Sequence, residues 1–582
     1  MDLGEFFLWT AVLTAVGSVA FSCLFLYARV PQFKRLSRLL LMVSFLLVTA
    51  TFLLLVYYFQ TSNFAIDYVV RHSKADYDAF YKLAGVWSGG KGSLLLWTWF
   101  IGISLAIEEG LQWRKHKRFG GSEEREVYDW ARLIASLVLV AMLYLLIDLD
   151  LFQKTDPTLL ASAMGRSGLG LNPLLETPMV IIHPPMEFAG YALTTLPFAA
   201  ALAFLMTEDP AWTDTSLQWA RMAWLFYTVA ILLGGIWAYT VLGWGGYWAW
   251  DPVETSNLIP WIVLTALLHA QLYHRQRRKF IWLTPLLAIM AFVLTVFATF
   301  ETRTGYVDSV HTFTFVGAGG ALPATEKLLL VMAQEPSGPF LMTLILAPLL
   351  AGGLLLVWRF AQIRKAEAEG GTPTHIWFAY GYVPFLAALL LWVLWDVSGF
   401  LSTVFDVGKV LGGGNAELGT VLLATIVAGL PVAWVLLTSS EEAAPSLRKG
   451  LVNDDSTMTV AVSLFSLWFF VTLMLMLVGV NSLDPAVFES RFPLLVLPLG
   501  LTLIAALTWR ELGTEKVLIL VAVLVVLTVL AYVLLEPSQF WLYVPITAAA
   551  LGVAVYRIAK SLDSRRTPRG LRIAGLMLLG SG

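Results

Sequence analysis

Apolar runs long enough to cross a bilayer recur along most of the chain, near residues 6–28, 39–60, 94–112, 131–151, 185–206, 221–242, 258–273, 280–300, 338–360, 376–396, 417–437, 459–480, 491–508, 516–534 and 539–557. Backbone polar groups in lipid must be satisfied within their own segment, and helices do this over about 20 apolar residues. The predicted fold class is therefore all-α, a polytopic membrane helical bundle with about 15 transmembrane helices. Composition agrees: of 582 residues 58% are hydrophobic and 13% charged. The formal net charge of −2 argues against nucleic acid and makes the lipid bilayer the first partner. One cysteine, Cys23, lies inside the first run, which excludes an internal disulfide, a CxxC redox pair and a CxxCH attachment site for covalent haem. The first run has no basic segment before it and no small-residue cleavage site after it, so it is expected to be a retained anchor.

Basic residues orient the bundle. Arg29, Lys34, Arg35 and Arg38 follow the first run, Arg114, Lys115, Lys117 and Arg118 the third, and Arg275, Arg277, Arg278 and Lys279 the seventh. Arg364 and Lys365, Arg448 and Lys449, and Arg557 to Arg566 continue the series on the same side under strict alternation. The positive-inside rule puts these loops in the cytoplasm, within a cytoplasmic (inner) membrane, and the amino terminus outside. Loops 61–93, 152–184, 243–257 and 301–337 then face outward. No internal repeat or separate soluble domain is evident. Gly412–Gly414 and Ser439–Lys449 read as loops, and the tail from Ser561 ends in an apolar stub too short to span.

One outward loop differs from the rest. Leu242 to Trp261, LGWGGYWAWDPVETSNLIPW, packs Trp244, Tyr247, Trp248 and Trp250 between glycines and closes on Asp251 and Pro252. An interfacial aromatic belt accounts for scattered indoles. A cluster this dense reads instead as a flat platform on which a planar ligand stacks, with Asp251 and Glu254 bracing the loop or meeting cationic groups.

Topology also sorts the seven histidines. His116 and His274 fall in cytoplasmic basic clusters and read as solvated, His375 sits at the inner edge of the tenth run, and His72 is ambiguous. His183 precedes Pro184 and Pro185, which are expected to bar a helix from starting before it and to present its ring from an outward loop. His311 stands just outside the eighth run. Two outward imidazoles beside an aromatic shelf suit the axial positions of a planar iron complex. His269 lies inside the seventh run, about 12 Å along the axis from Trp261. An ionisable residue at that depth marks either a buried haem ligand or a cross-bundle hydrogen bond. Gly89, Gly90 and Gly92 form a tight turn entering the third run. Phosphate-binding and hydrolytic templates fail, since Gly317–Gly320 lacks a Walker lysine and neither GxSxG nor HExxH occurs.

These residues resemble the CcmF-type cytochrome c haem lyases (CcmF/CycK/NrfE-like), within the haem-handling superfamily named for its WWD loop. Trp244–Glu254 (WGGYWAWDPVE) is similar to that loop. Tyr81–Trp97 (YKLAGVWSGGKGSLLLW), Leu171–Tyr191 around IIHPP, Trp261–His269 and Arg303–His311 (RTGYVDSVH) match in order. The resemblance implies a haem-handling core over 1–337, further transmembrane helices over 338–582, and ligation of haem through thioether bonds to the CxxCH cysteines of apocytochrome c. It makes His183 and His311 the outer iron ligands, His269 a ligand of an intramembrane haem b, and the platform residues the holders of the ring, with Arg303 meeting a propionate. Implied partners are a CcmE-like haem carrier and an apocytochrome c with its CcmH-like thiol chaperone. The alternative within the superfamily is a haem transporter or holder without ligation activity. The pattern departs from the family late in the chain: no histidine follows His375, and LRIAGLMLLGSG stops where a helix with a second transmembrane histidine is expected. A separate chain supplying that histidine, a truncated chain, or an absent or differently ligated inner haem each fit this departure.

Overall fold

The computed structural model describes residues 2–119, 125–242, 246–249, 251–277, 281, 283–305, 309 and 324–368, with seven helical positions between 519 and 527. The chain divides into two compact units, Met1–Asp406 with Val480–Ser482 and Val407–Gly479 with Leu483–Gly582. The named helices all belong to the first: α1 Leu3–Ala28, α2 Pro31–Gln60, α3 Asp67–His72, α4 Ala79–Gly85, α5 Gly90–Phe119, α6 Glu126–Asp148, α7 Pro157–Ala161, α8 Ala163–Ser167, α9 Met179–Leu193, α10 Thr195–Thr207, α11 Trp212–Trp237, α12 Pro252–Arg277, α13 Leu283–Thr304, α14 Ala324–Gln334 and α15 Ser337–Ala368. No strand occurs among the described residues, and the chain is a multi-pass helical membrane protein. Among the described residues eight helical stretches are long and apolar enough to cross a membrane, with α9 and α10 forming one of them. They occupy eight of the nine runs expected before residue 369. The ninth, at 258–273, is α12. Its 26 residues reach about 39 Å at the usual rise, but Asn257, His269 and Gln271 thin its apolar character. Runs expected from 376 onward lie outside the described residues.

Local chemistry sets the helix ends. Asp2 and Glu5 form a capping box at the start of α1, with Gly4 N–H donating to Asp2 at 2.8 Å and Asp2 N–H to Glu5 at 3.1 Å. Arg29 closes α1 in the left-handed region (φ 56°), and Pro31 starts α2 at once. The basic residues Lys34, Arg35 and Arg38, expected in a loop before a run beginning at 39, are therefore inside α2. The charges of Lys34 and Arg38 are tolerated there by pairing: Lys34 meets Asp129 at 2.9 Å and Arg38 meets Glu109 at 2.9 Å.

Small and hydroxylated residues bring neighbouring helices close, as they do where lipid removes the hydrophobic drive between helices. Ser18 and Ser22 of α1 both reach Ser37 of α2, and Ser44 donates to the Ala11 carbonyl. Phe52 stacks on Trp99 at 4.4 Å, joining α2 to α5, and Phe198 on Phe292 at 4.5 Å, joining α10 to α13. α13 is buried along nearly its whole length and forms the centre of this unit. His274, expected on a solvated face, is buried instead, edge-on to Phe204 and Trp212, whose own stacking makes an aromatic slot for it.

Candidate functional site

α3, the α4–α5 turn, α9, α11, the loop before α12 and the end of α13 enclose one cavity of about 650 Å³. That falls within the range of small-molecule and cofactor pockets. His183, Trp248, Arg303 and the Gly89–Gly90 turn, far apart in sequence, all line it.

His183 lies within α9, not in a loop. Two prolines inside the helix remove two donors, and the Val180 carbonyl four residues before Pro184 is thereby released. Trp87 takes it, its indole N–H donating at 2.8 Å. A donor from the glycine-rich turn before α5 thus replaces what the proline removed, and the helix starts four residues before His183. A rule based on adjacent residues alone misses this partner.

The His183 ring is held from several sides. Nδ1 bonds the Ala230 carbonyl at 3.0 Å, and because a carbonyl only accepts, Nδ1 carries the proton, while Nε2 lies 3.4 Å from Glu187 Oε2. Tyr191 donates to Glu187 at 2.9 Å and also bonds Asn257 of α12. Trp237 meets the ring edge-to-face at 5.5 Å. Gly234 of α11 leaves space for it, since a Cβ there would stand 3.1 Å from His183 Cε1. The adjacent Gly235 does the same for the platform loop, where a Cβ would stand 3.0 Å from the Tyr247 carbonyl oxygen.

Of the platform, Tyr247 is exposed and stacked on Tyr239 at 4.5 Å, and Trp248 is half-buried against the cavity. Trp244 and Trp250 lie outside the described residues, as does His311. Asp251 and Glu254 form a helix start: Asp251 accepts from Val253 N–H at 3.1 Å, and Glu254 accepts from the Ala249 and Asp251 amides at 3.1 and 3.3 Å. Both brace the loop. Ser309 donates to Asp251 at 2.6 Å, which fixes the segment two residues before His311 to the foot of the platform.

Arg303, at the last turn of α13, donates to Ser93 at 2.8 Å and lies against Gly90, where a Cβ would stand 2.9 Å from its Nη1. His72 approaches Gly89 in the same manner, with its Nδ1–H on the Tyr68 carbonyl at 2.9 Å. Burial pushes its imidazole below the usual value, so it is neutral near pH 7, and burial pushes the Tyr68 phenol up. His269 is half-buried in α12, its Nδ1–H bonded to the Thr265 carbonyl at 2.7 Å. Beside it Trp224 donates to Thr265 and Trp261 to Thr228, with the two indoles stacked at 6.0 Å. Among the described residues no cluster of three or more metal-ligating side chains occurs.

Glu187, Gly234, Trp237 and Asn257 were not legible as site residues. A glycine pair inside an apolar run was the one available signal, for Gly234 and Gly235. The others owe their place to helix packing.

Comparison with known proteins matches the stretch of chain that contains His183, Trp248 and Arg303. The family model described as "Cytochrome C assembly protein" matches residues 87–306. The chain is 36% identical over 285 residues to the cytochrome c-type biogenesis protein CcmF of Haemophilus influenzae, covering 48% of this chain and 42% of that one. It is 31% identical over 413 residues to CcmF of Escherichia coli, covering 69% and 57%. A solved structure, "Cytochrome c Heme Lyase CcmF", aligns with a TM-score of 0.42 at 20% identity over 87% of this chain and 76% of that one. The chain spans about half the length of the curated relatives it matches.

Proposed function

We propose, from the premise that this chain belongs through residues 87–306 to the cytochrome c assembly family, that it joins haem covalently to apocytochrome c. The single observation that carries this reading is the convergence of His183, Trp248, Arg303 and the Gly89–Gly90 turn on one cavity. The chain's relatives are named as cytochrome c biogenesis proteins, which favours haem over other planar ligands.

In this reading the haem is substrate. His183 offers Nε2 to its iron, with the ring orientation set by the Ala230 carbonyl. His311 supplies the opposite axial position, and the Ser309–Asp251 bond supports its closeness to the platform. Trp244, Tyr247, Trp248 and Trp250 hold the porphyrin face, and Arg303 meets a propionate. Each apocytochrome thiol then adds across a haem vinyl group, its sulfur bonding one vinyl carbon and its hydrogen the other, with no net redox change. The protein supplies position rather than proton transfer.

His269 would hold an intramembrane haem b through Nε2, because its Nδ1–H is committed to the Thr265 carbonyl. Such a group would supply one-electron reduction of the substrate haem, and a separate chain would provide its second ligand. The partners are a CcmE-like haem carrier and an apocytochrome c with a CcmH-like thiol chaperone. The basic loops orient the chain in the cytoplasmic membrane with the platform outside and residues 1–337 as the haem-handling core.

The test is purification in detergent with absorption spectra and a pyridine-haemochrome assay on wild type, His183→Ala, His311→Ala and His269→Ala. Loss of an outer haem in the first two variants and of an inner haem only in the third is expected. Unchanged spectra in all three remove the assignment. Haem retained with unaltered vinyl groups, and no thioether product with apocytochrome supplied, identifies a haem holder instead.

A further inference from the structure

His183 and Glu187 stand one helical turn apart on α9. Glu187 Oε2 lies 3.4 Å from His183 Nε2, the nitrogen left for iron once Nδ1–H is committed to the Ala230 carbonyl. In the neutral ring this nitrogen and the carboxylate oxygen are both acceptors, with no hydrogen to share between them. Such a pair is stabilised by a positive charge placed beside it. We propose that Glu187 is a specificity-determining residue of the haem site, one that makes His183 hold ferric haem more tightly than ferrous, an inference that rests on the haem reading above.

The argument starts from charge. A porphyrin dianion around ferric iron leaves one net positive charge on the core, and around ferrous iron it leaves none. Iron bound at Nε2 is one coordination bond from that nitrogen, so an oxygen 3.4 Å from Nε2 is its close neighbour. Glu187 acts there through its field and not as a ligand, because the porphyrin fills the equatorial positions and the second axial position lies across the ring from His183. The side chains of His183 and Glu187 are 18% and 17% exposed, so water screens the carboxylate weakly.

The surrounding helices hold that carboxylate in place. Tyr191, one turn further along α9, donates to Glu187 at 2.9 Å and also bonds Asn257 near the start of α12. Glu187, Tyr191 and Asn257 all line the cavity with His183. Other charges line it too: Asp67, Asp148, Glu254 and Glu335 on the acidic side, and Arg71, Lys91 and Arg303 on the basic side. They act on haem in wild type and in a Glu187 variant alike, so substitution at 187 reads this carboxylate alone.

Affinity and reduction potential are linked. If Glu187 makes ferric binding tenfold tighter relative to ferrous, the midpoint of the bound haem falls by about 59 mV, and reduction loosens the hold by the same factor. The site then grips haem more firmly before it takes up an electron than after.

The purified full chain in detergent would be loaded with iron protoporphyrin IX and titrated electrochemically with absorption spectra as the readout, for wild type, His183→Ala and the Glu187 variants. The wave to be read is the one that His183→Ala removes. Glu187→Gln keeps an acceptor for Tyr191 and loses the charge, and is expected to raise this midpoint by about 59 mV, a tenfold smaller preference for ferric haem. Glu187→Leu is expected to shift it the same way, and Glu187→Asp to stay close to wild type. A merely structural role would weaken both oxidation states alike and leave the midpoint where it was. A midpoint unmoved or lowered in the neutral variants overturns the role of Glu187 and leaves the haem reading standing. If His183→Ala removes no wave, the haem reading falls and this inference with it.

Discussion

A methyl group added to Gly89 would lie 2.2 Å from His72 Nε2, far inside contact distance, and the imidazole is held by its bond to Tyr68 and by the Tyr68 ring 4.4 Å away. Gly89→Ala is therefore expected to displace His72 and lower stability by about 1–3 kcal/mol, the usual cost of overpacking. Thermal unfolding in detergent reads this, and a variant as stable as wild type would show that the contact yields freely. His72 also predicts an acid dependence. Burial lowers its folded pKa, whereas the unfolded imidazole titrates near about 6.5. Between those two values the unfolded chain holds the extra proton, so stability rises with pH through the window. The contribution is complete above about pH 6.5 and is lost as pH falls toward the folded value. Replacing His72 by Gln is expected to flatten the midpoint-versus-pH curve below about pH 6.5. A slope unchanged by the replacement would assign the acid sensitivity to other groups.

At the scale of elements, the start of α9 depends on a donor outside it. Trp87→Phe keeps the ring but strips the Val180 carbonyl of its indole partner. A buried acceptor left unsatisfied costs about 1–3 kcal/mol. The amides of the first turn of α9 should then exchange hydrogen faster. Equal exchange in variant and wild type would mean that water or another group replaces the indole. This contact also shows what the sequence could and could not disclose. The positions of the spans before residue 369 were legible, because a run of apolar residues identifies a membrane helix without knowledge of its neighbours. So was the bracing by Asp251 and Glu254, a local capping pattern. The helical state of His183 was not, since Pro184 and Pro185 forbid a helix only until a donor 93 residues earlier in the chain satisfies what they release. The burial of His274 was hidden likewise, because its slot is made by Phe204 and Trp212. Local rules reach as far as local partners.

At the scale of the whole described bundle, the end opposite the cavity in sequence logic, rich in basic residues, is joined by buried charge. Lys34 of α2 pairs with Asp129 of α6 at 2.9 Å, Arg132 of α6 pairs with Asp129 at 3.0 Å and approaches Glu109 of α5 at 3.6 Å, and Arg38 of α2 meets Glu109 at 2.9 Å. The neighbouring Glu108 accepts from Trp219 at 2.7 Å and Thr215 at 3.1 Å, which extends the connection to α11. Positive residues that signal a membrane face in sequence thus also clamp three helices, and Glu108 ties in a fourth. Lys34 and Asp129 are nearly inaccessible, with side chains 9% and 6% exposed, so solvent cannot substitute for a missing partner. Lys34→Met should cost about 3 kcal/mol, the lower end for breaking a buried pair, because Asp129 keeps Arg132. Adding Asp129→Leu removes the stranded carboxylate, and Arg132 then leans on Glu109. The double variant is accordingly expected to lose less stability than the sum of the two single variants. Thermal unfolding of the four proteins in one detergent completes the cycle. Strict additivity would show that the pair contributes no coupling and that the clamp is held by packing alone.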